Sequence, residues 1–312
     1  MPMSPVHARL YSHPEDLPVL IEFLKTTRPA AWINEYPRVA DLREAMGRSS
    51  IREKTSLWFT KQGKLEAFAC VLDPYNNLVF ELSPDMGLEI EHEIIHWALT
   101  CTIHSAENDF DTLDTSCRDD DLGRIALLER QGFMLMKENT LLLARSLDGT
   151  ISKPQLPDGF TIRSIAGEDE VDQIVALHRA AFGTSNMTRV ERLAIMRAPD
   201  YEPALDLVAL TPDGRMAGYC TCSISAVENK LSSSMIGHTD PVAVHPEFRG
   251  CGLARALLLS GAQLLKERGM ELAMLSTSSD NKAMQKTAEA AGFRVYSKRI
   301  WFSKAIPKNN NA

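Results

Sequence analysis

Two kinds of hydrophobic spacing alternate along the chain, and they recur in the same order in each half. In the second half, Phe160 to Ile165 alternates apolar with polar positions, as a short strand does. Val171, Ile174, Val175, Leu177 and Ala181 then fall on one helical face, and a second helix is expected over Met187 to Arg197. Apolar runs over Leu205 to Leu210 and Met216 to Ser225 flank Pro212-Asp213-Gly214, the turn of a hairpin. A strand over Met235 to His245 leads through a Gly-rich turn into a helix from Leu253 to about Arg268. An apolar strand from Leu272, a helix over Asn281 to Ala291 and a strand over Arg294 to Ser303 complete the series. Gly292 stands where a helix commonly ends in a left-handed residue.

The first half runs in parallel. Its opening strand is expected near Ala8 to Tyr11 and its first helix over Leu17 to Lys25. A hairpin joins Leu57 to Thr60 and Leu65 to Leu72, followed by a strand over Leu78 to Leu82 and helices over Glu89 to Thr100 and Gly123 to Arg130. Gly132-Phe133 precedes Gly292-Phe293 by 160 residues and Pro84 precedes Pro246 by 162, a near-constant offset that marks a duplication. Between the halves, DGTISKPQLPDG (Asp148 to Gly159) resists both helix and strand and reads as a linker. The expected organisation is residues 1–150, a linker at 151–158, and 159–312, each half an α/β unit with a mixed sheet.

Composition narrows the function classes. Of 312 residues, 44% are apolar and 24% charged, which is globular composition and excludes wholesale disorder. The net charge of −7 is uneven: residues 1–152 carry 15 Lys and Arg against 24 Asp and Glu, and residues 153–312 carry 19 against 17. No basic surplus exists to drive general nucleic-acid binding. Six scattered cysteines suit reduced thiols, and the longest apolar runs, such as Ala67 to Leu72, are too short for a bilayer. With no basic start or apolar core at the N-terminus, a cytoplasmic protein is expected.

The stretch that carries chemistry is PVAVHPEFRGCGLARALLL, Pro241 to Leu259. A Val-rich strand enters a turn whose glycines, Gly250 and Gly252, permit positive φ and close approach of a ligand to the backbone. Successive N–H groups and the positive end of the following helix make an anion site suited to a pyrophosphate. The glycines fit neither a P-loop nor the dinucleotide GxGxxG spacing.

This segment resembles the acetyl-CoA-binding signature of the GCN5-related N-acetyltransferase (GNAT) superfamily, Gln/Arg-x-x-Gly-x-Gly/Ala, met here by Arg249, Gly252 and Ala254. The preceding V-x-V-x-P-x-x-R is similar to that family too, as is Asn281 followed eleven residues on by Gly292-Phe293. The resemblance covers roughly Gly159 to Lys304 and implies two tandem acyl-CoA N-acyltransferase folds, each an α+β mixed sheet that splits to hold the pantetheine arm of acetyl-CoA. By that analogy the backbone of Val242 and Val244 pairs with the arm. The N–H groups of Gly250, Cys251, Gly252, Leu253 and Ala254 bind the pyrophosphate with Arg249 and Arg255 nearby, and Asn281 meets the arm or the thioester end. From the residues alone, Asn281 is also a good helix N-cap.

The implied reaction is direct attack of a primary amine, expected to belong to a small molecule, on the acetyl thioester in a ternary complex. It needs a base for the ammonium, a stabilised oxyanion and a protonated leaving thiolate. His238 and Asp240 are the candidate bases, placed on one strand face with Val242 by period-two alternation; each is alternatively an interior hydrogen-bonded polar residue. The family often has a tyrosine where Ala288 stands. The alternative reading is a non-catalytic acetyl-CoA sensor or interaction protein.

The first half has lost the signature: its counterpart segment, Leu82 to Glu89, keeps one glycine and places Glu89 and Glu91 at the helix start, where they compete with a pyrophosphate. It is expected to keep the fold without a working cofactor site, and the layout resembles tandem-domain acetyltransferases of the mycothiol synthase type. One rival motif, His92-Glu93-Ile94-Ile95-His96, has zinc-hydrolase spacing, but Leu99 and Thr102 stand where the extended motif needs Gly and His, and no downstream ligand is evident although His104 and Glu107 exist; its other reading, the favoured one, is a solvated helix face. Cys220-Thr221-Cys222 lies within a strand and reads as buried, so no metal is expected.

Overall fold

The computed structural model describes residues 6–12, 14–84, 86–103, 111–198 and 200–307. Packing divides the chain into two units. The first comprises the chain up to Asn139 together with Lys230–Ser233 and the segment from Arg299 onward; the second comprises Thr140–Asn229 and Ser234–Lys298.

In chain order the elements up to the division are β1 (Val6–Leu10), α1 (Asp16–Thr27), α2 (Val39–Gly47), α3 (Ser49–Glu53), β2 (Thr55–Thr60), β3 (Leu65–Leu72), β4 (Asn77–Leu82), α4 (Leu88–Ile103), β5 (Thr112–Arg118), α5 (Leu122–Arg130) and β6 (Met134–Ser146). There follow β7 (Thr161–Ser164), α6 (Val171–Phe182), α7 (Arg189–Met196), β8 (Asp206–Leu210), β9 (Met216–Ser223), α8 (Ala226–Ser232), β10 (Ile236–Val244), α9 (Leu253–Glu267), β11 (Leu272–Ser278), α10 (Lys282–Ala290) and β12 (Arg294–Ala305).

The first unit orders its strands β1-β2-β3-β4-β5-β12 and the second β7-β8-β9-β10-β11-β6. Each order contains three antiparallel steps, one parallel step (β4–β5 or β10–β11) and a final antiparallel step. The duplication inferred from the constant offset is thus matched strand for strand. The last strand of each copy is exchanged. Thr140–Ser146 follows α5 of the first unit yet pairs with β11, and Arg299–Ala305 follows α10 of the second yet pairs with β5.

The division therefore falls within β6 and β12 rather than in the 151–158 segment. That segment has neither helix nor strand, but Ile151 and Leu156 pack against the second unit's core, and Lys266 Nζ donates to Gly149 O at 2.7 Å.

Each sheet is covered on both faces. In the second unit, α9 and α10 pack Leu257, Leu258, Ala262 and Ala288 over one face, and α6 packs Ile174 and Leu177 over the other. In the first unit, α4 and α5 supply Ile94, Ala98 and Leu128 on one face, while α1 and α2 supply Leu20, Leu24 and Leu42 on the other. Gly132 and Gly292 have φ of 80° and 87° and close α5 and α10, with the buried Phe133 and Phe293 donating their N–H groups back to Leu128 and Ala288. Among the described residues, no helix is long and apolar enough to cross a membrane.

Candidate active site

The site in the second unit begins where two parallel strands part. β10 and β11 are in register at three positions, Ile236 with Leu272, Gly237 with Ala273 and His238 with Met274. Beyond His238 a bulge interrupts the pairing of β10 with β9, between Thr239 and Val242. Pro241, inside that bulge, has no N–H to give a ladder, so the strands separate toward their C-terminal ends. Asp240 sits at the fork, its Oδ2 accepting from Ser276 N at 3.1 Å and Ser276 Oγ at 2.7 Å. One carboxylate thus fastens the middle of β10 to β11 at the point where the strands part.

The bulge overturns one expectation. Directly opposed residues share a face; Thr239 opposes Cys222 and Val242 opposes Cys220, and both cysteines pack in the core beneath α9. Val242 therefore points to the α9 face, while His238, adjacent to Thr239 and opposite Ser223, points to the other. His238 and Val242 do not share a face, because the extra residue in the bulge reverses the alternation. His238 is 5% exposed, whereas Asp240 is partly exposed.

Eight residues separate β10 from α9. Gly250 and Gly252 have φ of 79° and 85°, and a Cβ built on either meets no atom within 4 Å. The glycines are thus required by backbone conformation, and the space beside them stays open to an approaching group. Gly252 is the N-cap of α9 and has no side chain to accept the helix's first N–H groups. The first helical bond runs from Ala256 N to Gly252 O, so the N–H groups of Leu253, Ala254 and Arg255 lack an intrahelical acceptor. Leu253 is buried and anchors the turn. This arrangement fits a pyrophosphate, which needs backbone donors and room beside them.

The remaining expected residues are placed less uniformly. Val242 and Val244 line β10 past the fork, half-buried against the α9 core. Arg249 Nη2 donates to Ala181 O at 2.7 Å, at the end of α6, and Arg255 Nε donates to Ala290 O at 3.0 Å. Both arginines are exposed, and both hold neighbouring helix ends. Cys251 is exposed, with Sγ 2.9 Å from Phe248 O. Asn281 caps α10, its Oδ1 accepting from Met284 N at 3.0 Å. Ala288 is fully buried among α9 and β11 side chains, so it presents no group to the fork.

Three side-chain groupings escaped the sequence. Ser276 became visible only when β11 was placed beside Asp240. On the α6 face, His178 Nδ1 lies 2.7 Å from the Tyr219 hydroxyl. Burial and then Arg192 hold the His178 imidazolium below its ordinary pKa, with Glu191 opposing, and burial pushes the Tyr219 phenol up, so both stay neutral near pH 7. Nearby, the buried Asp206 accepts from Arg192, from Tyr201 Oη at 2.7 Å and from Thr221 Oγ1 at 3.0 Å. The helical spacing of His178 was a signal for this contact, but nothing in the sequence paired it with a residue 41 positions away.

The zinc-like motif lies on α4, where His92, Glu93 and His96 are exposed. Glu93 Oε1 accepts from Trp58 Nε1 at 2.9 Å, which gives that carboxylate a structural partner. Among the described residues no group of three potential ligands could hold a metal; Asp85, His104 and Glu107 lie outside the described residues.

Comparison with known proteins places this geometry. Residues 171–293 match the family model described as Acetyltransferase (GNAT) family. A mycothiol acetyltransferase from Arthrobacter sp. (strain FB24) is 28% identical over 188 residues, which is 59% of this chain and 56% of the relative. One from Streptomyces avermitilis is 30% identical over 151 residues, 47% of this chain and 46% of the relative. The chain thus spans about half the length of the curated relatives it matches. Among solved structures, a GCN5-related N-acetyltransferase from Sphaerobacter thermophilus superposes with a TM-score of 0.73 at 22% identity, covering 99% of each chain. A tandem GNAT protein from the clavulanic acid biosynthesis pathway gives 0.72 at 16% identity, covering 99% of this chain and 100% of that one. These last two show the fold alone. The split sheet and the glycine turn fall within the matched residues: residues 171–293 resemble the GNAT acetyltransferase family, the chain is similar over about half its length to mycothiol acetyltransferases, and its fold is that of tandem GNAT proteins.

Proposed function

We propose that the protein is an N-acetyltransferase whose second unit moves an acetyl group from acetyl-CoA to the primary amine of a small molecule, by direct attack in a ternary complex. The observation that carries this reading is the fork between β10 and β11 ending at a glycine turn with open space above an uncapped helix start. The thioester of acetyl-CoA supplies an activated acyl group.

The chain's own residues then have distinct tasks. N–H groups from Gly250 to Ala254 hold the pyrophosphate, and the β10 backbone at Val242 and Val244 aligns the pantetheine amides and polarises the carbonyl. Asn281 keeps α10 capped at the same end of the sheet. Asp240, fixed by Ser276 and open to solvent, accepts the ammonium proton directly or through one water. His238, buried on the opposite face from Val242, supports β10. With Ala288 buried, the thiolate leaves as such and is protonated by water. The first unit keeps the fold and does not catalyse.

Acetyl-CoA turnover against a panel of primary amines tests this, and the shared name of the relatives, mycothiol acetyltransferase, puts amines of mycothiol type at its head. Stoichiometric acetyl-CoA binding without turnover of any amine would favour a sensor instead.

A further inference from the structure

The first unit contains a cavity of about 600 Å³ between the diverging strands β4 and β5, which are in parallel register at Asn77 and Asp114. That volume is the size of a small-molecule site. Its wall has a composition that the acidic first half does not suggest. Four guanidiniums, from Arg28, Arg118, Arg124 and Arg299, converge there, each side chain between 9% and 16% exposed.

Two buried carboxylates serve all four. Glu81 accepts from Arg28 Nε at 2.6 Å and Arg124 Nη2 at 2.7 Å. Glu35 accepts from Arg118 and lies 3.7 Å from Arg299 Nη2. A third partner, Asp120, is 57% exposed at the rim and binds Arg118, and Asp121 caps α5. Arg130, also in the wall, is already matched by Glu91 at 2.5 Å. Burial lowers the Arg299 guanidinium from its ordinary pKa; Glu35 counters this and Arg28 adds to it. Counting only the buried carboxylates, four guanidiniums face two, and an anion entering the cavity would offset that imbalance where the exposed Asp120 is screened by solvent.

The same wall argues against acetyl-CoA as that anion. Arg124 Nη1 donates to Phe80 O at 3.2 Å, taking up a carbonyl of the strand that a pantetheine arm would follow. Five residues separate β4 from α4, and the first turn of α4 carries Glu89 and Glu91. A carboxylate there occupies the positive helix end that a pyrophosphate would need. Beside the arginines lie Trp32 and Tyr36, whose rings are stacked by Arg118 at 5.2 Å and Arg299 at 5.3 Å.

We propose that the cavity of the first unit binds a small organic oxyanion, a carboxylate or phosphate carried on an aromatic or apolar body, distinct from acetyl-CoA. The arginine forks hold the oxyanion and the Trp32 side of the wall holds the body. The site is independent of the reading of the second unit.

Isothermal titration of the full chain tests this with phenyl phosphate, benzoate, uncharged phenol and acetyl-CoA as probes. Either oxyanion should bind with one equivalent per chain, also in the presence of saturating acetyl-CoA, and the stronger of the two identifies the preferred group. Arg299→Gln should weaken that probe at least tenfold. Trp32→Ala keeps every charge and should weaken phenyl phosphate more than inorganic phosphate, which serves if Arg299→Gln fails to fold. Binding of two equivalents of acetyl-CoA, equal binding of phenol, or no binding of either oxyanion would each overturn the proposal.

Discussion

Replacing Gly252 by alanine separates the two demands on the glycine turn. A Cβ at this position meets nothing within 4 Å, so no atom of the protein need move to admit it. The conformational term remains: φ is 85°, and holding an L-residue in the left-handed region costs roughly 1–2 kcal/mol. For a protein of this size that corresponds to a drop in Tm of about 2–8 °C. The new methyl would stand in the space that a phosphate oxygen must enter to reach the first N–H groups of α9. Losing one charge-assisted hydrogen bond costs about 1.5–3 kcal/mol, or about 10- to 150-fold in affinity. Acetyl-CoA affinity by isothermal titration, with circular dichroism melts alongside, measures both quantities. Gly87, which precedes α4 in the first unit, is the matched control, and Gly87→Ala should leave acetyl-CoA affinity unchanged. Unchanged affinity in Gly252→Ala would refute the assignment of the turn, and equal losses in both variants would refute the asymmetry between the units.

Other outcomes follow from single contacts. Asp240→Asn retains an acceptor for Ser276 and should fold normally, while turnover falls by about 10²–10⁴; a normal rate would remove Asp240 as the base. Burial raises the Glu81 carboxyl, but Arg28 and Arg124 outweigh it and hold it net below the usual range. Its contribution is therefore fully present above the ordinary carboxylate pKa and lost as pH falls through the depressed one, so the acid-denaturation midpoint should shift to higher pH in Glu81→Gln, a variant expected to cost about 3–5 kcal/mol. Tyr219→Phe removes the bond to His178 and should cost about 1 kcal/mol in urea unfolding at pH 8. Because the folded His178 pKa is depressed, stability should fall as pH drops below about 6.5, and His178→Gln should lessen that decline.

The sequence carried those features that depend on local spacing. The Gly252 turn, the Gly132 and Gly292 helix ends and the hairpins through Gly63 and Gly214 were all legible, because each needs a particular residue at a particular step. Helices α2 and α3 were missed: VADLREAMG and SSIRE are short, and their apolar residues complete a face only against α1 and β3. The relation of His238 to Val242 was misjudged since period-two counting assumes an unbroken strand, and one inserted residue reverses every later face. The charge balance misled in a similar way. An excess of carboxylates over residues 1–152 says nothing of where they point, and the arginines of that half gather inside while many of its acidic groups lie outside.

Strand exchange was beyond reach for a deeper reason: β6 and β12 are copies, and each has the pattern of a strand that completes a sheet, whichever sheet it joins. Its consequence can be measured. A fragment of residues 1–150 would keep every element up to β6 but lose Arg299–Ala305, the partner of β5. Ile300 and Phe302, both buried beneath α4 and α5, would go, at roughly 1.5–3 kcal/mol each. The fragment's own β6 is a poor substitute. At the offset of the duplication, Thr140 replaces Ile300, and Asn139 replaces Arg299, whose guanidinium donates to Tyr36 O at 2.6 Å. The fragment should therefore unfold at lower urea than the first unit does in the full chain, and co-expression with residues 151–312 should restore the lost stability. Equal urea midpoints for fragment and full chain would mean that β6 can close either sheet, and that the exchange contributes nothing to stability.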